Sequence, residues 1–81
     1  MPAKAFVLIE TDVGKTKDVV DVIQSQKIKE VKSVDLVTGP YDVIAVIEHS
    51  DFNAVGSLVT EKIHPIPGIK RTVTCLSIRV V

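Results

Sequence analysis

Four apolar runs and two amphipathic stretches alternate along the chain. The first run, Ala3–Glu10, carries Ala5, Phe6, Val7, Leu8 and Ile9 behind a single Lys4, and Thr11-Asp12-Val13-Gly14 breaks it. From Lys15 to Gln26 the apolar residues fall at Val19, Val20, Val22 and Ile23, one helical stripe, with Lys15, Lys17, Asp18, Asp21 and Gln24 off it. Val31–Thr38 alternates more loosely, with Val34 and Leu36 on one face and Val31, Ser33, Asp35 and Val37 on the other. Gly39-Pro40 signals a turn. Val43–Ile47 is again apolar on both faces and closes with Glu48 and His49. Ser50 or Asp51 can cap a second helix, whose stripe is Phe52, Val55, Leu58, Val59 and Ile63. Pro65-Ile66-Pro67-Gly68 stops that helix, and Ile69–Val80 alternates as a long strand. The predicted order is β-α-β-β-α-β, an α+β, ferredoxin-like fold over a single domain, residues 1–81.

The runs also predict their places in the sheet. Runs one and three are apolar on both faces, as inner strands are. Runs two and four mix in Lys, Asp, Arg, Thr and Ser, as edges do. Two helices cover only one face of a four-stranded antiparallel sheet. The other face of two very apolar strands then has nothing in the chain to cover it, a larger apolar patch than monomers ordinarily expose. An obligate oligomer, with sheets packed face to face, is therefore expected.

Composition narrows the function. Fifteen valines and nine isoleucines make β-branched residues the main core material, which suits pleated strands. Ten Lys and Arg balance ten Asp and Glu, so the chain lacks the basic footprint of a phosphate-binding surface, and no direct contact with nucleic acid is expected. A single cysteine excludes an internal disulfide framework and a cysteine-built zinc site. No apolar run has the length of a membrane span and the N-terminus has no secretory pattern, so a cytoplasmic protein with no membrane partner is the default expectation.

The inventory of reactive groups is thin. His49 and His64 stand fifteen residues apart, with no cysteine or carboxylate at metal-ligand spacing, and are read as local hydrogen-bonding groups. Cys75 lies in a strand without a paired histidine and reads as a small hydrophobe. Lys70-Arg71 reads as solvated edge charge. No glycine-rich phosphate loop and no CxxC occur, so no cofactor, no metal and no enzymatic activity are expected. The segment that stands out is Thr38-Gly39-Pro40-Tyr41-Asp42. Tyr41 offers an aromatic face with a hydroxyl, and Asp42 puts a carboxylate at the mouth of an inner strand. Amides of such a turn can hold a carboxylate while Asp42 holds an ammonium, so the turn can bind both ends of a zwitterion. The plainer reading is a turn aspartate bonding nearby backbone. Thr72 and Thr74, on one face of the last strand, can add hydroxyls.

Two motifs in this order carry a resemblance. Val37-Thr38-Gly39-Pro40-Tyr41-Asp42-Val43-Ile44-Ala45 resembles the turn signature of the Lrp/AsnC family of leucine-responsive, "feast/famine" transcription regulators. Pro67-Gly68-Ile69-Lys70-Arg71-Thr72-Val73-Thr74 resembles that family's entry into its last strand, and the helix start after Gly14 fits too. The resemblance covers essentially all 81 residues and is to the family's C-terminal effector-binding module, the RAM domain. It implies the same βαββαβ fold, sheet-to-sheet dimers, rings of dimers such as an octamer, and an amino-acid effector bound between neighbouring dimers. Carried over residue by residue, it implies Gly39, Tyr41 and Asp42 as ligand contacts, with Thr72 and Thr74 beside them. Full-length members begin with a helix-turn-helix domain, whereas Met1-Pro2-Ala3-Lys4 here leads straight into the first strand. The expectation is a stand-alone module that regulates transcription through its assemblies, with full-length relatives as possible partners. A ligand-free assembly adaptor and an ACT-like amino-acid sensor are the alternatives. A cofactor-free enzyme built on His49 is the least supported reading.

Overall fold

The computed structural model describes residues 3–78. Strand β1 (Ala3–Thr11) leads through a tight turn into helix α1 (Thr16–Ser25); β2 (Val31–Leu36) and β3 (Val43–His49) form a hairpin; helix α2 (Phe52–Leu58) runs on into a wide π-helical turn (Val59–Ile63); and β4 (Ile69–Leu76) closes the sheet. The order across the sheet is β2-β3-β1-β4, every neighbouring pair antiparallel. The two runs that are apolar on both faces are the inner pair, as their composition requires.

Alternation decides which side chains go inside. Ala5, Val7 and Ile9 of β1 stand across from Ile47, Ala45 and Val43 of β3, and all six are fully buried under the helices. Val19, Val20 and Ile23 from α1, and Val55, Val59 and Ile63 from the second helical stretch, complete this core with Ile66. Each fully buried valine or isoleucine contributes roughly 1.5–3 kcal/mol relative to exposure. The intervening residues face the other way. Phe6 stands across from Val46 and Cys75, and Leu8 across from Ile44 and Val73, on a sheet face that no helix covers.

Several details depart from the sequence expectation. Phe52, the first residue of α2 after the Asp51 cap, is 58% exposed and takes no part in the core. Val22 is also exposed, on the solvent side of the α1 stripe. The Val55, Val59 and Ile63 spacing of four and four drifts around an ideal α-helix, and the wide turn corrects the drift. There the His64 N–H donates to Val59 O, five residues back, at 2.7 Å, and all three side chains stay inward. Strand β2 ends at Leu36, and β4 ends at Leu76; the expected continuation of β4 reaches positions outside the described residues. The first and last strands are neighbours: Ala5 faces Leu76, and Ser77 N–H donates to Lys4 O at 2.8 Å.

Candidate functional site

The turn between β2 and β3 is closed at its foot by backbone. The Val37 N–H donates to Asp42 O at 2.9 Å, and the Asp42 N–H donates to Ile9 O at 2.9 Å, so the turn is tied to its own hairpin and to β1. Its tip is bare. Thr38, Gly39 and Pro40 are exposed, and Gly39 holds φ +145°, with open space where a Cβ would stand. Such a backbone favours glycine.

Two adjacent side chains then reach two anchors. Asp42 Oδ2 accepts from the Thr11 N–H at 2.9 Å and from the Thr11 hydroxyl at 3.3 Å. Thr11 is the one buried polar residue of the described set, and its hydroxyl also meets Thr16 Oγ1 at 2.7 Å. This network joins the turn, the end of β1 and the start of α1, where Lys15 provides no side-chain cap. Asp42 is thus a turn aspartate with a structural bond, although to a residue 31 positions away. Tyr41 goes elsewhere. The Arg71 guanidinium of β4 sits 5.7 Å from the centre of its ring, within cation–π range, and Arg71 Nε lies 3.5 Å from Glu10 Oε1. Register explains the triad, since Glu10 and Arg71 are direct partners across β1 and β4.

The five predicted site residues fall into two groups. Gly39, Tyr41 and Asp42 share the turn. Thr72 and Thr74 pair with Ile9 and Val7 at the far edge of the sheet, with the whole of β1 between them and the turn. Thr72 Oγ1 lies 3.4 Å from His64 Nδ1, and Thr74 is exposed. Among the described residues neither threonine hydroxyl is hydrogen-bonded to the turn. His49 Nδ1 accepts from the Asp51 N–H at 2.9 Å, and both histidines therefore make the local contacts expected of them. Among the described residues no group of three His, Cys, Asp or Glu side chains is placed to hold a metal ion. No helix among them is long and apolar enough to cross a membrane. Sequence reading missed Thr11 and Arg71. Thr11 lay in a segment read only as a breaker, and Arg71 in a basic pair read as solvent-facing. The strand register is the signal that connects both to the turn.

The family model described as the Lrp/AsnC ligand binding domain matches residues 4–81. An uncharacterized HTH-type transcriptional regulator of Pyrococcus furiosus is 38% identical over 76 residues, covering 90% of this chain and 49% of the relative. The chain therefore spans about half the length of that curated relative. Among solved structures, a protein of Thermus thermophilus is 32% identical with a TM-score of 0.86, over 98% of this chain and 96% of the other. A transcriptional regulator of Neisseria meningitidis, solved in complex with L-methionine, shares the fold with a TM-score of 0.79 at 20% identity. That match covers 95% of this chain and 50% of the regulator.

Proposed function

Because the chain belongs to the Lrp/AsnC ligand-binding domain family, we propose that it is an amino-acid-sensing regulatory module without enzymatic activity, acting by self-assembly. The family match over residues 4–81 carries this reading. The effector is a free amino acid, the class of ligand in the L-methionine complex of the Neisseria meningitidis regulator. Asp42 meets its ammonium group. Oδ2 is committed to Thr11, so Oδ1 is the oxygen assigned to the ligand. Amides near Gly39 take the carboxylate, and Tyr41 borders the ligand. The ligand lies between neighbouring dimers, with Thr72 and Thr74 of the last strand beside it.

The uncovered sheet face, with Phe6, Leu8, Ile44, Val46 and Val73, is assigned to pairing with a second copy. Dimers then join into rings, in the cytoplasm, alone or with relatives that carry a helix-turn-helix domain. A ligand that binds only one assembly state pulls the equilibrium toward that state. The test is a thermal-shift panel of all twenty amino acids at high protein concentration, with sedimentation velocity run beside it. One or a few amino acids should raise Tm, approaching 2.7 kcal/mol of stabilisation at about 100 times Kd. No shift with any of them refutes the sensor reading. It leaves a ligand-free assembly adaptor, a reading favoured by the structural bond that already occupies Asp42 Oδ2.

A further inference from the structure

We infer that Arg71 is a positioning residue for the effector turn: it clasps Tyr41 from across β1 and holds the turn in its binding conformation. This rests on the turn being the amino-acid site proposed above. The tip at Thr38-Gly39-Pro40 is exposed, and the space around Gly39 is open, so packing does little to hold the tip. Two side chains supply what packing does not. Asp42 fastens one to Thr11. Tyr41 is the other, and Arg71 is its partner at 5.7 Å.

Arg71 suits the task for three reasons. It sits on a strand of the sheet, so its backbone does not move with the turn. Glu10, directly opposite in register, takes one edge of the guanidinium at 3.5 Å and fixes its direction toward Tyr41. A planar guanidinium can stack on a ring while its edge keeps an ion pair, which an ammonium does less well. The side chain is 61% exposed, so the clasp acts through geometry and not through burial. A turn released by its loss spends part of its time in conformations that cannot bind, and apparent affinity falls by the fraction lost.

The chain reports on this clasp without a label, because Tyr41 is its only tyrosine and there is no tryptophan. Tyrosine emission, its anisotropy and its quenching by acrylamide therefore read Tyr41 alone. Arg71→Gln should lower the anisotropy and raise the quenching constant in the absence of any amino acid. It should also weaken the Kd for the amino acid found in the thermal-shift panel by about two- to fivefold, the range expected for an exposed cation–π contact. Arg71→Lys, which keeps the charge but not the stacking plane, should recover only part of both signals. Lys70→Gln, which removes the same charge from the neighbouring position, should change neither. Unchanged tyrosine quenching in Arg71→Gln overturns the clasp. A loosened tyrosine with unchanged Kd overturns the positioning role. If the wild-type chain responds to no amino acid, the sensor reading and the positioning role fall together, and the tyrosine signal still decides whether the clasp exists.

Discussion

Replacing Gly68 by alanine strikes the molecule where the second helical stretch hands over to β4. Gly68 holds φ +98°, and a Cβ built there would stand 2.9 Å from Lys15 Cβ and 3.2 Å from Val19 Cγ2. Neither neighbour yields easily. Lys15 precedes the first residue of α1, and Val19 is fully buried in the core. The Gly68 carbonyl also accepts from the Asp12 N–H at 2.8 Å, which pins the two loops together. The positive φ costs about 1–2 kcal/mol for a residue with a Cβ, and overpacking adds about 1–3 kcal/mol. A total of about 2–5 kcal/mol is a large share of the roughly 5–15 kcal/mol that holds a typical domain together. For a chain of this size it lowers Tm by roughly 10–40 °C. The assay is urea unfolding followed by far-UV circular dichroism at several protein concentrations, so that self-association is separated from intrinsic stability. Lys15→Gly removes the nearer obstacle at an N-cap position where glycine is tolerated. The double variant should recover part of the loss. A cost below about 0.5 kcal/mol for Gly68→Ala, or strict additivity in the double variant, would refute the steric reasoning.

Three further outcomes are expected. Asp42→Ala should cost about 1–3 kcal/mol in the ligand-free chain by stranding the Thr11 N–H, whereas Asp42→Asn keeps an acceptor oxygen, unfolds near the wild-type midpoint and still loses the amino-acid response. Urea titration and the thermal-shift panel separate the two effects, and equal stability losses would contradict the Thr11 bond. Ile44→Glu, in the centre of the uncovered sheet face, should give a monomer by sedimentation velocity with an unchanged far-UV spectrum, and a surviving dimer would place the pairing surface elsewhere. Gly56→Ala, inside α2 with open space at the Cβ position, should stabilise by about 0.5–1 kcal/mol in the same urea assay, and a loss of stability would mean that the helix is not formed there.

The architecture was legible because it rests on short-range periodicity. Two-faced apolarity in Ala3–Glu10 and Val43–Ile47 marks inner strands, and the Val19, Val20 and Ile23 spacing marks a helix face; neither inference needs a distant partner. What stayed hidden was either degenerate or non-local. Val55, Val59 and Ile63 have the same spacing in an α-helix and in the wider turn, so the pattern could not announce the π-helical segment. Phe52 looked like core because it is apolar and on the stripe, yet periodicity alone does not say whether the first turn of a helix has core beneath it. The turn's residues were visible, and its anchors were not. Thr11 is 31 positions from Asp42, and Arg71 meets Tyr41 across an intervening strand, so both depend on a register that no local window contains.

The pairing of β1 with β4 has a consequence for how such a module can be carried by larger proteins. Lys4 and Ser77 share a hydrogen bond, so the chain enters and leaves the sheet side by side. A polypeptide arranged in this way can be spliced into a surface loop of a host protein with a connection of a few residues on each side. It can equally be rejoined end to end and reopened at an exposed turn, with its core pairings kept. The fold is, in mechanical terms, a plug with both leads on one edge.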